Sequence, residues 1–306
     1  MPCYSPMVAY RSKYVNNNGK RPLTFALKDA INDSKVRVPC GGCVGCRLEK
    51  SRQWAVRCMH EAQLYENNSF ITLTYSEENL PEHGTLVKED LQKFWKRLRK
   101  RFGKNIRYYG CGEYGDKSFR PHYHACVFNW RPEDGELFKT TEFGRLYSSE
   151  VLDQIWSHGH TLYGDVTFKS AAYVARYVMK KLTGDRADER YQRIDPSTGE
   201  IIDLVPEFSV SSRRPGIGSK WLELFSGDVY PFDEVIVNGC PTKPPSYYDR
   251  WLEDRYPEQW EVIKRHRQQQ GQKYAEDNTT DRKRVKEIIK MKQLGLHDRS
   301  KTEEPL

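Results

Sequence analysis

The chain has 306 residues, which is enough to bury the core of one large domain or of one domain with appendages. Its 50 Lys and Arg residues outnumber its 42 Asp and Glu residues and give a net charge of +8. No run of 18 apolar residues and no apolar signal segment occurs, which argues against a membrane or secreted protein. The positive charge, with 19 Tyr and 7 Trp, favours a phosphate-bearing partner, although a basic protein without such a partner has the same charge.

Cysteines near the N-terminus predict a metal site. Residues 1–39 are predicted to be irregular, with Cys3 as their one chemically notable residue. Three further cysteines, Cys40, Cys43 and Cys46, lie within seven residues, and the glycines between them allow the backbone to wrap three thiolates around one ion. Zinc is the expected occupant and an iron–sulfur cluster is the alternative, because both accept this spacing.

A tetrahedral zinc site needs a fourth ligand, for which Cys58 and Cys3 are the candidates. Residues 47–66 have a helical pattern in which Cys58 shares the apolar face. Twelve residues of helix would place Cys58 roughly 18 Å beyond Cys46. We therefore expect Cys58 to be a core thiol and Cys3 to be the fourth ligand.

The next segments alternate between strand and helix patterns. Residues 70–75 are β-branched and aromatic with a period of two, which predicts a strand. Residues 88–102 carry apolar side chains at helical spacing and predict an amphipathic helix. Two more strands are predicted over 105–113 and 122–128, joined by a turn at 115–118. The order strand, helix, strand, strand indicates an α+β protein.

The predicted hairpin carries a second candidate metal site. His122 and His124 are two residues apart on one strand, so they project from the same face with Cα atoms roughly 6.5–7 Å apart. The hairpin can bring Glu113 beside them as an oxygen ligand. Two imidazoles and one carboxylate, with open positions left, suit a divalent cation that is bound together with a phosphate. The alternative is two ordinary histidines on a solvated face.

Three elements are predicted downstream of this hairpin. Residues 131–147 have the composition of a loop, residues 149–156 predict a short helix, and residues 160–168 predict a strand. His158 and His160 flank a glycine, as in a turn, and we expect both to be structural.

The helix predicted over 170–181 has a serine, Ser170, at its predicted N-cap. Tyr173 and Tyr177 are four residues apart, so both phenols lie on one helix face. Lys180 and Lys181 continue that face, where their charges would favour phenolate and bind phosphate. Tyrosines at this spacing are more often core or stacking residues. The metal site predicted upstream favours the interpretation of these two as nucleophiles. A nucleophile, a Lewis acid and phosphate-binding cations together indicate phosphoryl transfer by covalent catalysis.

The C-terminal part of the chain is less informative. Residues 189–208 predict a protruding β-hairpin with its turn at 196–199. Residues 211–218 form a basic loop suited either to DNA phosphate or to a plain turn. Residues 246–306 are charged and predict helical segments followed by a disordered tail.

These motifs, in this order, resemble the HUH rolling-circle replication initiators and, more narrowly, the replication initiation proteins of gokushovirus-type microviruses. The resemblance covers roughly the first 220 residues. It is carried by residues 1–4, 39–47, 54–58, 112–115, 120–124, 173–181 and 212–218. Tyr123 stands where the family usually has a bulky hydrophobe, and we expect it to point away from the metal. Arg176 stands where related initiators often carry Lys.

The resemblance implies a ferredoxin- or RRM-like antiparallel sheet with helices on one side, and a metal site on the face that the tyrosine helix covers. It also implies four regions along the chain. These are a Cys-rich element over 1–66, a nuclease core over 67–184, a hairpin and basic-loop extension over 185–245, and a charged tail over 246–306.

The resemblance further implies a DNA nickase. One tyrosine would attack a phosphate of single-stranded origin DNA, leaving a 5′-phosphotyrosine and a free 3′-OH, and the second tyrosine would later cut the displaced strand so that it is rejoined into a circle. Mg²⁺ or Mn²⁺ is the implied catalytic ion, Zn²⁺ the structural one, and host polymerase and helicase are implied partners in the bacterial cytoplasm. The residues expected to contact DNA are Arg120, Arg176, Arg213 and Arg214.

Two other interpretations stay open. A non-catalytic zinc module that binds single-stranded DNA would explain the charge, the cysteines and the aromatic residues, but it gives Glu113, the histidine pair and the tyrosine pair no role. A conjugative relaxase or a transposase would use the same chemistry. Relaxases generally carry a third histidine and many transposases a single tyrosine, which argues against both.

Overall fold

A computed structural model provides the structure of the chain. It describes residues 3–17, 19–115, 118–141, 144–177, 191–194 and 198–299, with the backbone alone for 177 and 296–299. Within this part the fold is α+β, as expected from the sequence. The chain divides into two compact units, Met1–Lys50 with Lys264–Leu306 and Ser51–Ile263. The four regions implied by the resemblance stay predictions.

Eight helices occur in the described part of the chain. They are α1 (Val44–Ala62), α2 (Lys88–Phe102), α3 (Glu150–Trp156), α4 (Phe168–Tyr177), α5 (Ser219–Val229), α6 (Ser246–Arg255), α7 (Pro257–Lys273) and α8 (Thr280–Arg299). The helix predicted over 88–102 is confirmed at both ends, and helical segments beyond 246 are confirmed as well. The end of the predicted disordered tail, 300–306, lies outside the described residues. None of these helices is both long enough and apolar enough to span a membrane.

The smaller unit contains a three-stranded antiparallel sheet in the order β2-β1-β3. Its strands are β1 (Met7–Ser12), β2 (Leu23–Thr24) and β3 (Ala30–Val38). The prediction that residues 1–39 are irregular is therefore wrong. These strands bury only the small side chains of Ala9, Ser12 and Ala30, so no alternation of large apolar residues marks them in the sequence.

The larger unit is built on a seven-stranded sheet with the order β12-β5-β6-β4-β9-β8-β7, in which every neighbouring pair is antiparallel. Its strands are β4 (Asn68–Thr74), β5 (Arg107–Tyr114), β6 (Pro121–Phe128), β7 (Glu136–Thr141), β8 (Gly144–Ser148), β9 (Thr161–Gly164) and β12 (Phe208–Ser211). The predicted strand at 70–75 and the hairpin of 105–113 and 122–128 are confirmed. The loop predicted over 131–147 is wrong, because β7 and β8 form an exposed hairpin whose mixed composition hides the strand period.

The boundary between β9 and α4 differs from the predicted one. The strand predicted over 160–168 already ends at Gly164, and α4 begins at Phe168, two residues before the predicted serine cap. Ser170 instead forms a reciprocal pair with Thr167. The Thr167 N–H donates to Ser170 Oγ (2.8 Å), and the Ser170 N–H donates to Thr167 Oγ1 (3.1 Å). This arrangement satisfies backbone donors that a helix start leaves without intrahelical partners.

Helices cover both faces of the large sheet. On β6, the side chains of Tyr123, Ala125 and Val127 pack in one cluster with α2 and α3. The alternate residues Cys126 and Phe128 pack in a second cluster with α1 and α4. The expectation of helices on one side is therefore wrong. The central strands are apolar at both parities, so both faces have to be buried.

The remaining described strands form two small hairpins. Strands β10 (Gln192–Ile194) and β11 (Ile201–Asp203) pair antiparallel, which confirms the predicted hairpin. Strands β13 (Val235–Val237) and β14 (Cys240–Thr242) form the other one. The first of them contributes exposed apolar side chains, since Ile194 and Ile201 are 71% and 67% exposed.

A third apolar cluster joins α1, α5 and α6 and contains the buried His60. Its centre is formed by Val56, Leu222 and Tyr248. The imidazole of His60 stacks on the indole of Trp221, and its Nδ1 lies 2.8 Å from the hydroxyl of Tyr248. Burial lowers the pKa of His60 from 6.5 to about 4. Folding therefore favours the neutral imidazole.

This environment predicts acid sensitivity. Because the pKa of His60 is lower in the folded chain, its contribution is fully present above pH 6.5 and is lost as the pH falls toward 4. Between pH 7 and pH 5 the loss is about 2 kcal/mol of unfolding free energy. In His60→Gln, which cannot be protonated and keeps an acceptor for Tyr248, that part of the pH dependence should disappear. Urea unfolding of both proteins at pH 7 and pH 5 measures this difference. An equal loss of unfolding free energy between the two pH values in both proteins would contradict the assignment to His60.

Candidate active site

The pairing of β5 with β6 brings the three residues of the candidate metal site together. Glu113 is the cross-strand partner of His122, and His124 follows on the same face. Oε1 of Glu113 lies 2.8 Å from Nε2 of His122 and 3.0 Å from Nε2 of His124. The three potential ligand atoms lie within 4.8 Å of one another. The hairpin thus produces the constellation expected from the sequence.

Hydrogen bonds on the far side of each ring orient the two imidazoles. Nδ1 of His122 lies 3.0 Å from the carbonyl oxygen of Arg120, which can only accept, so Nδ1 carries the proton and Nε2 faces Glu113. Nδ1 of His124 lies 2.9 Å from Oγ1 of Thr72, its cross-strand partner on β4. Such outer contacts hold a metal-binding imidazole in one orientation.

Two of the three potential ligands are buried, and one carboxylate oxygen has no hydrogen-bond donor in the described part of the chain. Glu113 is 1% exposed and His124 is 7% exposed. Oε2 of Glu113 is buried and accepts no hydrogen bond within the described part of the chain. A buried carboxylate oxygen without a donor is costly, and a divalent cation between the three side chains would compensate that cost. The donor set of two imidazole nitrogens and one carboxylate therefore fits such an ion.

Tyr123 points to the opposite face of the sheet, as expected. It is fully buried, and its hydroxyl donates to the carbonyl oxygen of Val87 (2.8 Å) and accepts from the Val87 N–H (3.0 Å). The hydroxyl of Tyr75 lies 2.8 Å away. The residue between the two histidines therefore anchors β6 to the start of α2.

Helix α4 lies over the face of the sheet that carries the metal site. The ring of Tyr173 meets the ring of His124 edge-on, with 5.2 Å between centroids, and also contacts the ring of Phe70. The helix is held in place by buried alanine and valine side chains and by Ser51 of α1, whose hydroxyl donates to the carbonyl oxygen of Ala172 (2.9 Å). One of the two predicted nucleophiles thus borders the candidate metal site.

The other residues predicted on this helix are described less fully. Tyr177 is the last described residue of α4, four residues beyond Tyr173, and only its backbone is described. Lys180 and Lys181 lie outside the described residues. Arg176 is exposed on the same helix.

Of the arginines predicted to contact DNA, Arg120 has structural partners. Its Nε and Nη2 donate to the carbonyl oxygen of Tyr75 (3.3 and 2.8 Å), and its guanidinium also pairs with Glu77. Arg120 thereby ties the start of β6 to the segment after β4. Arg213 and Arg214 are both exposed on the loop that follows β12.

Two residues that contact His124 were not predicted from the sequence. Thr72 and Phe70 lie on β4, where Thr72 contacts Nδ1 of His124 and the ring of Phe70 is stacked 5.6 Å from the His124 ring. Both belong to a strand that was predicted. Their proximity to the histidines depends on the pairing of β4 with β6, which no local pattern encodes.

The four predicted cysteine ligands converge in the smaller unit. The sulfur atoms of Cys3, Cys40, Cys43 and Cys46 lie within 4.8 Å of one another. Backbone N–H groups donate to these sulfurs, namely that of Cys40 to Cys3 (3.3 Å) and that of Cys43 to Cys40 (3.3 Å). Amide donors of this kind stabilise thiolates, which are the form that binds metal. Cys58, by contrast, is fully buried in the apolar cluster with α4, as expected.

The pKa of Cys43 is lower than that of an ordinary thiol. Burial acts to raise it, but backbone N–H groups of Cys46 and Tyr4 donate to its sulfur (3.5 and 3.4 Å), and together with hydrogen bonds from the thiols of Cys46 and Cys40 they lower the pKa to about 7. Burial and neighbouring thiols raise the pKa of Cys46. A tetrad of converging sulfur atoms with amide donors, one of them with a lowered pKa, fits a bound metal ion.

Comparison with known proteins places these sites in context. A family model described as replication-associated protein ORF2/G2P matches residues 68–182. Replication-associated protein VP4 of Bdellovibrio phage phiMH2K is 36% identical over 233 residues, covering 72% of this chain and 69% of that protein. Replication-associated protein ORF2 of Spiroplasma virus 4 is 35% identical over 244 residues, covering 75% and 71%. Replication-associated protein ORF4 of Chlamydia phage 1 is 35% identical over 153 residues, covering 47% and 38%. No solved structure matches the chain.

The cysteine tetrad predicts a structural metal. The purified protein should contain about one Zn²⁺ per chain, and Cys43→Ser should lose it and about 3 kcal/mol or more of unfolding free energy. Metal analysis and urea unfolding measure both effects. Cys240→Ser, which changes an exposed free thiol, is the matched control and should keep the ion. A stable wild-type protein with neither zinc nor iron–sulfur absorbance would rule the site out.

The Glu113 site predicts a second, exchangeable ion. Glu113→Gln keeps the shape of the side chain but removes the charge that faces both imidazoles, so the Kd for Mn²⁺ should rise about tenfold or more. Calorimetric titration of Mn²⁺ into zinc-loaded protein measures this change. Glu136→Gln removes the same charge from the exposed strand β7 and should leave the Kd unchanged. Equal Mn²⁺ affinity in all three proteins would exclude Glu113 as a ligand.

Proposed function

The chain belongs to the replication-associated proteins of the microviruses, and we propose that it starts viral DNA replication by nicking a single DNA strand with a tyrosine. The observation that carries this proposal is the juxtaposition of Glu113, His122 and His124 with the ring of Tyr173 on one face of the sheet. A metal-binding triad beside a phenol is the equipment for phosphoryl transfer through a covalent tyrosine ester. In fold, we assign the nuclease core to the HUH type, with β4, β5 and β6 as its central strands.

The residues around the site have separate tasks in this proposal. Glu113, His122 and His124 would hold Mg²⁺ or Mn²⁺, which when bound supplies a Lewis acid that polarises a phosphate oxygen and orients the phosphate. Thr72 and the carbonyl group of Arg120 keep the two imidazoles aimed at that position. Helix α4 packs on this face of the sheet and would present the nucleophile. Lys180 and Lys181 would favour the phenolate and bind the phosphate oxygens.

The reaction exchanges one phosphate ester for another. The phenol oxygen of Tyr173 or Tyr177 loses its proton and attacks the scissile phosphorus, in line with the bond to the 3′ oxygen. A tyrosine–phosphate bond forms while the P–O3′ bond breaks, and the 3′ oxygen takes up a proton to become a free 3′-OH. The ester to tyrosine preserves the bond energy. A 3′-OH can therefore attack the phosphotyrosine later, restore the phosphodiester and release the protonated tyrosine.

Two tyrosines allow the cycle to be completed without dissociation. One holds the 5′ end of the strand while polymerase extends the 3′-OH, and the other cuts the strand again at the regenerated origin. The new 3′-OH then attacks the first phosphotyrosine and closes the displaced strand into a circle. We expect host polymerase and helicase in the bacterial cytoplasm to supply synthesis and strand separation.

The cysteine tetrad has a structural task in this proposal. We assign Zn²⁺ to Cys3, Cys40, Cys43 and Cys46, because four sulfur ligands in a tight cluster leave no open position for a substrate. Its loss should affect folding more than chemistry. An iron–sulfur cluster is the alternative that the same spacing accepts.

Removal of the phenol hydroxyls tests the proposal. Tyr173→Phe and Tyr177→Phe each delete one nucleophile while keeping the ring, so loss of activity cannot be attributed to a cavity. The double variant should form no covalent adduct with virion-strand DNA in Mn²⁺. Each single variant should keep some cleavage or identify the tyrosine that acts first, but should yield no circles. Gel analysis of adducts and mass spectrometry of the attachment site measure these outcomes.

The exposed Tyr256 provides the matched control, since Tyr256→Phe should cleave and join like the wild type. An adduct that maps to a residue other than Tyr173 or Tyr177 would contradict the proposal. Efficient nicking by the double variant would do the same.

A further inference from the structure

A basic cleft lies at the end of β5 that is opposite the metal site. Its volume is about 440 Å³. The residues that line it come from the last turn of α2, the connection to β5, the start of β5, the end of β12 and the loop after β12. They are Arg99, Lys104, Ile106, Arg107, Tyr108, Ser211, Ser212, Arg213 and Arg214. Five of the nine are cations and none is acidic.

The loop over 212–218 that forms one wall is held rigidly through its backbone. The Ser212 N–H donates to the carbonyl oxygen of Tyr108 (2.9 Å), and Nη2 of Arg107 donates to that of Pro215 (2.9 Å). At its far end, the Gly218 N–H donates to Oε2 of the buried Glu61 (2.6 Å). Because these contacts use backbone atoms, the arginine side chains of the loop are left for other partners.

A glycine secures the end of this loop. Gly218 has φ +76°, and a Cβ atom there would lie 2.7 Å from the hydroxyl of Tyr248 and 3.2 Å from the carbonyl oxygen of Arg57. The loop therefore packs against α1 and α6 at a distance that only glycine permits. It is an ordered wall and presents Arg213 and Arg214 at a defined place.

The charges in the cleft are mostly uncompensated. Arg107 pairs with Glu61. Within the described residues, no ion pair joins a carboxylate to any of the other four cations, which are Arg99, Lys104, Arg213 and Arg214. Arg99 is positioned by its Nε and Nη2, which donate to the carbonyl oxygen of Ile106 (3.1 and 2.8 Å). Four cations held around one small cavity create a strong local attraction for an anion.

We propose that this cleft binds the sugar–phosphate backbone of single-stranded DNA, as a second DNA contact separate from the nicking centre. The inference rests on the proposed DNA-processing function, to which it adds a place for the strand outside the active site. A volume of about 440 Å³ is in the range of small-molecule pockets, which suits one or two nucleotides of a single strand. Serine hydroxyls and arginines are common phosphate-binding groups.

The distance along β5 between the cleft and the metal site sets the length of DNA that can reach both. Arg107 at the cleft and Glu113 at the metal site are six residues apart on one strand, which corresponds to roughly 20 Å. That length is spanned by about six nucleotides at the rise of one strand of B-DNA, and by fewer if the strand is extended. A DNA strand that is long enough to reach both places should bind more tightly than a shorter one, because its second contact with the protein is intramolecular.

The inference is tested with Arg213→Ala/Arg214→Ala in the full-length, zinc-loaded protein, probed with labelled oligothymidylates of four and twenty nucleotides. Two lost phosphate contacts should lower the slope of log affinity against log salt by about 1.4 on the longer strand. Affinity for that strand should fall about tenfold at low salt. The gain in affinity from four to twenty nucleotides should shrink. Lys104→Ala, which removes a third exposed cation of the cleft, should show the same trend with a slope change of about 0.7.

The matched control is Lys139→Ala/Arg145→Ala, which removes the same charge from exposed positions on the β7–β8 hairpin. Equal losses in the control and in the loop variant would overturn the inference, because bulk charge would then explain both. Unchanged length dependence in the loop variant would also overturn it, as would an equal loss of affinity for duplex DNA.

Adduct formation by the wild-type protein separates this inference from the proposed function. If adducts form and the loop variant binds long strands like the wild type, the cleft assignment is wrong and the nicking proposal stands. If no adduct forms but the loop variant loses its length-dependent affinity, the cleft assignment stands and the nicking proposal fails. A wild-type protein without affinity for single-stranded DNA would overturn both.

Discussion

The candidate active site depends on one constraint, the register between β5 and β6. With Glu113 opposite His122, the carboxylate and both imidazoles project from one face, while Tyr123 is directed into the core on the other. A slip of one residue would exchange the two sets, placing the imidazoles on the face that packs against α2 and Tyr123 on the face that packs against α4. The tyrosine hydroxyl, which exchanges two hydrogen bonds with Val87, acts against such a slip. The packing of Tyr123 in the apolar core therefore also fixes the positions of the three candidate metal ligands.

Burial on both faces of the sheet sets the environment of the candidate metal site. Helix α4 closes the metal-site face with small apolar side chains, which lets the backbone of the helix approach the strands and brings the ring of Tyr173 against His124. In such a dehydrated setting, electrostatic interactions among a carboxylate, imidazoles and a phosphate are stronger than in water. The same setting leaves an oxygen of Glu113 without a donor within the described chain, so the folded protein bears a cost that a bound cation would remove.

Glu61 on α1 contacts both the start of β5 and the end of the basic loop. It is fully buried, pairs with Arg107 at the start of β5, and accepts from the Gly218 N–H at the end of the basic loop. One carboxylate thus orders the strand that carries Glu113 and the loop that carries Arg213 and Arg214. A buried ion pair of this kind contributes little net stability but strongly disfavours alternative arrangements in which either charge loses its partner. The basic cleft can therefore be a defined surface although its cations repel one another.

The sequence by itself determined several of the local elements and the residue types that make up both candidate metal sites. The period of two in β4 and β6, the apolar spacing of α2 and the short gaps between the cysteines are encoded in neighbouring residues, so they could be recognised without a structure. Even Cys3 could be nominated, because Cys58 lies too far along a helix. Strand pairing decided the rest. The weak strands β1 and β7 bury few large side chains, helices on both faces follow from packing, and the contacts of Thr72 and Glu61 join segments far apart in the chain. Such contacts arise only when distant segments share a core, because no local period records which partner each segment meets.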